Sequence, residues 1–120
     1  MGVRQLFDLS GKIALITGGS RGLGLQMAEA LGEMGASVAL TARKADELDD
    51  ARVHLEKRSI KTHTLVCDLA KPAQVAPMVA ATLAHYGRID ILVNNAGTTW
   101  GAALEDYPLE AWQKVVDLNL

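Results

Sequence analysis

The chain has 120 residues, of which 49% are hydrophobic and 22% charged, with a formal net charge of −2. This composition describes one globular domain and excludes a disordered chain, because the apolar content is high and the net charge small. Eleven scattered glycines argue against a coiled coil, the slight acidity argues against a general nucleic-acid binder, and no apolar run reaches the roughly 20 residues of a membrane span.

Strands alternate with helices along the chain. Lys12 to Thr17 is a short continuous apolar run ending in glycines, which suits a strand buried on both faces of a parallel sheet. A helix follows, with Leu23, Met27, Leu31 and Met34 expected on its buried face and Gly35 as the C-terminal glycine. Ser37 to Thr41 is the second strand, and Ala45 to Arg58 is a polar helix with Leu48, Ala51 and Leu55 at helical spacing. His63 to Cys67 is the third strand. Pro72 to Tyr86 is the third helix, with a stripe of Val75, Val79, Leu83 and Tyr86 and an awkward internal Pro77. Ile89 to Val93 is the fourth strand, Trp100 to Pro108 a loop, and Leu109 to Leu120 the start of another helix. Strand–helix alternation implies crossovers and a parallel sheet. The expected fold is α/β, with about four strands of a doubly wound sheet and flanking helices. The sequence stops inside a helix with no further strand, so residues 1–120 are expected to be the N-terminal portion of a longer single-domain protein.

Thr17 to Gly24 joins the first strand to the first helix, with glycines Gly18, Gly22 and Gly24 spaced G-x-x-x-G-x-G. Gly18 permits a tight turn, Gly22 lets the backbone approach a pyrophosphate, and Gly24 lets helix and strand pack closely. The helix N-terminus then presents unpaired N–H groups to an anion. No G-K-[ST] follows, so a triphosphate-binding P-loop is not supported. A glycine-rich turn that binds nothing has the same spacing.

Together, Thr17 to Gly24 and Asn94-Asn-Ala-Gly97 resemble the short-chain dehydrogenase/reductase family, as do Leu9 to Ile16 and Cys67-Asp-Leu69. Within the family the chain looks most like 3-oxoacyl-carrier-protein reductases and gluconate 5-dehydrogenases. The resemblance covers only the cofactor-binding half of the family's Rossmann-type fold. It implies a cofactor site made by Gly18, Ser20, Arg21, Gly22, Leu23 and Gly24, then Arg43, Asp68 and Leu69, and finally Asn95, Ala96 and Gly97. In it Asp68 contacts the adenine amino group, Leu69 lines the ring pocket, and Asn94 helps lock neighbouring strands. Arg43 follows the second strand where the adenosine ribose lies, with no carboxylate before Asp46. With Arg21 in the glycine loop it favours NADP(H) over NAD(H), because two cations suit a 2′-phosphate. Two solvated surface arginines are the plain alternative.

The resemblance further implies hydride transfer between a nicotinamide and a small carbonyl or alcohol substrate. Asn119 matches the family's catalytic asparagine, which positions a water in the proton relay. The catalytic serine and Tyr-x-x-x-Lys cannot be placed: Tyr86 is followed four residues on by Asp90, and Tyr107 by Ala111. They are expected beyond the end of this chain, and 120 residues alone are expected to be inactive and poorly soluble or oligomeric. The resemblance also implies a homo-oligomer, commonly a tetramer. A non-catalytic dinucleotide-binding or sensor module is the competing reading. A methyltransferase is a third, disfavoured by Arg43 where a carboxylate would be needed.

His54, His63 and His85 lack metal-ligand spacing, with each other or with Cys67, and no metal is expected. Cys67 is the only cysteine and sits in an apolar strand, so it reads as an inert core residue. It cannot form an intramolecular disulfide, and Met1 to Ser10 has no long apolar segment of a secretory signal; a cytoplasmic location without membrane or nucleic-acid partners is expected. Trp100 is expected to serve the core or a lid.

Overall fold

Two apolar runs fix the centre of the fold. β1 (Ile13–Thr17) is buried along its whole length, and β2 (Ser37–Ala42) is buried at its four middle residues. Strands so uniformly apolar need cover on both faces. The computed structural model, which describes residues 2–97 and 104–119, supplies that cover. The sheet runs β3-β2-β1-β4, with β3 at Thr62–Val66 and β4 at Ile91–Val93, and every pairing is parallel.

The helices divide between the two faces. α2 (Gly22–Glu33) and α3 (Ala45–Glu56) lie on one face, α4 (Val75–Tyr86) on the other. Because side chains alternate along a strand, Ala14, Ile16, Val38 and Leu40 meet Ala28, Leu48, Ala51 and Leu55 in one core cluster. Leu15 and Ala39 point the other way and join Cys67 and Met78 in a second. A short helix α1 (Val3–Leu6) precedes the sheet, and α5 (Leu109–Asn119) follows it. None of the helices among the described residues is long and apolar enough to cross a membrane.

The four strands and helices α2 to α5 agree in type with the sequence reading; α1 was not foreseen, α4 begins at Val75 behind a 3-10 turn at Pro72–Gln74, and two helix faces differ. On α2 the expected stripe included Leu23 and Met34, yet both are exposed; Gly24 and Ala28 are the buried residues. The small residues Gly24 and Ala28 lie on the buried underside of the helix, Leu31 of the expected stripe packs against the same core with Leu25, and Leu23 and Met34 turn outward. On α4 the buried residues are Met78 and Thr82, with Val79 and Tyr86 beside them, while Val75 and Leu83 face outward. Thr82 is tolerated there because its hydroxyl donates to the Met78 carbonyl at 3.0 Å. Pro77 is the third residue of α4, in the first turn, where no intrahelical N–H bond is lost. β4 is shorter than expected because Asp90 leaves the strand. Its carboxylate accepts the Ile13 N–H at 2.8 Å and its own N–H donates to the Ile13 carbonyl at 2.9 Å. Trp100 and Leu120 lie outside the described residues.

Candidate nucleotide cleft

β1 has β2 on one side and β4 on the other, so the chain leaves β1 in one direction and β4 brings it back from the opposite edge. The loops beyond the carboxyl ends of β1 and β4 therefore diverge, and a crevice opens between them. In doubly wound sheets this point of reversal is where ligands bind.

The first wall is the glycine turn. Gly18 has φ +65°, a left-handed conformation that other residues rarely adopt. Gly24 has another constraint: a side chain there would collide with the Gly18 carbonyl and the Asn95 amide. At Gly22, also at positive φ, the space a side chain would fill is open. The first turn of α2 has no side-chain cap, and Arg21 precedes it in extended conformation. Its leading N–H groups thus lack the usual protein partner and suit an anion.

The second wall is Asn95–Gly97, held to the first by a clamp that sequence reading missed. Thr17, at the end of β1 and buried, accepts the Asn95 and Ala96 N–H groups, each at 3.0 Å, and donates to the Val93 carbonyl at 3.3 Å. The Asn95 side-chain amide donates to the Gly18 carbonyl at 3.1 Å. Thr17 and Asn95 together tie the two walls. The only sequence signal for Thr17 was a hydroxyl ending an apolar run, which must find partners once buried.

Between the walls lies a cleft of about 320 Å³. Of the expected residues it brings together Gly18, Ser20, Arg21 and Gly22 on one side, with Asn95, Ala96 and Gly97 opposite. Arg43 and Leu69 also line it. Leu23 does not; its side chain points to solvent. Gly24 acts behind the turn, as packing. Asp68 does not line the cleft either: its carboxylate accepts the Ala70 N–H at 3.0 Å and its N–H donates to the Gln74 side chain at 2.7 Å. Asn119 stands just outside, with its Oδ1 3.0 Å from where a β-carbon on Gly97 would be. Its neighbour Leu118 reaches the lining.

Lys44, Glu47 and Cys67 also line the cleft without having been expected there. Cys67 is buried, its thiol faces the Gln74 carbonyl at 3.7 Å, and burial, helped by the Asp68 charge, pushes the thiol above its ordinary range. Its place in the second core cluster is the one expected. The rim is cationic. Arg21 and Lys44 both approach Glu47 Oε1, at 3.8 and 3.9 Å, while exposed Arg43 has no acidic partner among the described residues.

The histidines sit elsewhere. His54 meets Glu29 at 3.1 Å on the α2–α3 surface, and the His63 and His85 rings stack with centroids 3.9 Å apart. Among the described residues no cluster of three or more His, Cys, Asp or Glu could hold a metal ion.

A glycine turn leading into an uncapped helix at the reversal point of a parallel sheet defines a nucleotide-binding class of α/β protein. The match to known families is specific: the family described as short chain dehydrogenase covers residues 12–120, and the chain belongs to that family. Among curated relatives it is 45% identical over 114 residues to a rhamnolipids biosynthesis 3-oxoacyl-[acyl-carrier-protein] reductase of Pseudomonas aeruginosa, covering 95% of this chain and 44% of that protein. It is 42% identical over 116 residues to gluconate 5-dehydrogenase of Gluconobacter oxydans, covering 97% and 45%. The chain spans a little under half the length of these relatives. A short-chain type dehydrogenase/reductase from Mycobacterium marinum superimposes with a TM-score of 0.96 at 42% identity, over 100% of this chain and 49% of that one. The Pseudomonas aeruginosa RhlG/NADP complex gives 0.89 at 45% identity, over 95% and 44%. A xylitol dehydrogenase with NAD+ bound gives 0.90 at 30% identity, over 93% and 44%.

Proposed function

We propose that this chain is the cofactor-binding portion of an NADP(H)-dependent oxidoreductase that interconverts a carbonyl and a secondary alcohol. The observation that carries the reading is the cleft itself: an uncapped helix N-terminus behind Gly18 and Gly22, with Arg21, Arg43 and Lys44 on its rim. The open space at Gly22 and the unsatisfied first turn fit a pyrophosphate, and the cationic rim fits a 2′-phosphate. Three of the similar structures hold NADP or NADPH, which supports the same choice, while one holds NAD+.

In this reading Gly18, Ser20 and Gly22 hold the pyrophosphate side, and Arg21 with Arg43 and Lys44 the ribose phosphate. Leu69 provides an apolar wall for the base, and Asn95–Gly97 the opposite backbone wall. The cofactor, when bound, supplies or accepts the hydride. The chain's own part is to orient that cofactor and to exclude water along the Asn95–Gly97 wall. Asn119 belongs to the proposal as the group that orients a water in the proton relay. The serine and the Tyr-x-x-x-Lys pair lie, in this proposal, outside residues 1–120. Self-association as a homo-oligomer, a tetramer by the family resemblance, belongs with it and is read by light scattering.

The test is NADPH oxidation by the full-length protein against a panel of carbonyl compounds. Turnover with at least one is expected, and NADPH binding without turnover on any would favour a sensor module instead. Asn119→Ala is expected to lower kcat while leaving the NADPH dissociation constant nearly unchanged. An unchanged kcat with chemistry rate-limiting would remove Asn119 from the relay.

A further inference from the structure

Glu47 is an acid set among cations on the rim of a cleft whose proposed ligand is an anion. It lies in the first turn of α3, and that turn carries its carboxylate back over the glycine loop. Its Oε1 is shared by Arg21 and Lys44 at 3.8 and 3.9 Å, and its Oε2 accepts from the Ser20 hydroxyl at 3.4 Å. All three contacts are long. The two cations are largely exposed, 78% and 68%, whereas the Glu47 side chain is 30% exposed. Ion pairs of this kind contribute little stability, so the carboxylate is poorly explained as a structural brace.

The charges around it give it a different meaning. Arg21, Arg43 and Lys44 carry three positive charges to the rim, and Glu47 cancels one of them. A phosphate monoester brings roughly −1.5 to −2 at neutral pH. To occupy the rim it must take Arg21 and Lys44 away from Glu47 and settle beside a like charge. A ribose bearing a free 2′-hydroxyl meets no such repulsion, and a carboxylate accepts hydrogen bonds from hydroxyls. We propose that Glu47 is a specificity-determining residue that stands in for the 2′-phosphate in the free protein and restrains its binding, drawing NADP(H) and NAD(H) affinities closer together. This inference rests on the assignment of the cleft to a nicotinamide dinucleotide.

The experiment measures dissociation constants for NADPH and NADH by fluorescence titration on the full-length protein, for wild type and Glu47→Gln. Glutamine keeps the size and a hydrogen-bonding oxygen for Ser20 and removes only the charge. The ratio of NADH to NADPH dissociation constants is expected to rise about three- to tenfold in Glu47→Gln, the scale of one like charge removed from a partly screened site. The gain should shrink as salt is raised, because the effect is coulombic. An unchanged ratio, or a shift toward NADH because Arg21 and Lys44 lose their support, overturns the inference. If wild type prefers NADH but Glu47→Gln still shifts the ratio toward NADPH, the proposed NADP(H) preference fails and the role of Glu47 stands. If wild type prefers NADPH and the ratio does not move, the preference stands and the role of Glu47 fails. Binding of neither dinucleotide overturns both.

Discussion

The part of the molecule built from β1, β2 and β3 with α2, α3 and α4 differs sharply from the part built from β4 and α5. In the first, Val38, Ala39 and Leu40 of β2 are fully buried, as are Leu48, Ala51 and Leu55 on α3. In the second, Leu92 of β4 is 56% exposed, and Ala111 is the one buried residue of α5 while Trp112 is 59% exposed. The cleft straddles this divide. Its glycine-turn wall rests on a dense core. Its Asn95–Gly97 wall rests on hydrogen bonds to Thr17 and Gly18. One wall is therefore fixed by apolar burial and the other by a polar clamp, and the two should respond to different substitutions.

The largest expected effect separates the two parts directly. Leu40→Ala empties a fully buried site in the first cluster and should cost about 2–5 kcal/mol, whereas Leu92→Ala on β4, 56% exposed within residues 1–120, should cost under about 1 kcal/mol when that chain is tested by itself. Urea denaturation of both variants checks this, and similar losses would erase the distinction.

Thr17→Val tests the clamp. The swap keeps the shape, leaves the Ala96 N–H without its acceptor and leaves the Asn95 N–H only its bond to the Val93 carbonyl at 3.1 Å, at a cost of about 1–3 kcal/mol. Hydrogen exchange should accelerate at residues 95 and 96 and stay slow in β1 and β2. Uniform acceleration would mean that Thr17 supports the core rather than the wall.

The smallest expected effect concerns the seam where β3 meets α4. His63 on β3 stacks on His85 of α4, and burial, then the His85 charge, holds the His63 pKa below its ordinary 6.5. A lowered value means that the unfolded chain takes up this proton first. The contribution of His63 is therefore neutral above about pH 6.5, and stability is lost as pH falls through that value toward the folded one. The urea midpoint should drop between about pH 7.5 and about pH 5, and His63→Gln should flatten part of that slope. An equally steep slope in the variant would place the titration elsewhere.

Much of this was legible in the sequence because it is local. A buried strand running into glycines announces itself within a dozen residues, and Leu48, Ala51 and Leu55 turned inward as their spacing required. The α2 stripe was legible in part: Leu31 packs on the core, but Leu23 and Met34 are exposed, because the close approach of Gly24 to Gly18 and Asn95 turns the face toward Gly24, Leu25 and Ala28. Thr17 and Glu47 were not legible as cleft residues. Their roles depend on which loops meet in space, 78 residues apart for Thr17 and Asn95 and 27 for Ser20 and Glu47. Asp68 followed the family motif to the right loop, but its carboxylate turned to the local Ala70 N–H.

In the proposed function the cationic rim reads a 2′-phosphate. Titration of NADPH and NADH into the full-length protein, wild type and Arg43→Asp, tests it most directly. Arg43 is exposed, lines the cleft and has no acidic partner among the described residues, so its loss should act on the ligand rather than on the fold. Arg43→Asp should weaken NADPH by about 1.5–3 kcal/mol, the scale of a charge-assisted contact, and leave NADH nearly unchanged. Equal losses for both dinucleotides would contradict it.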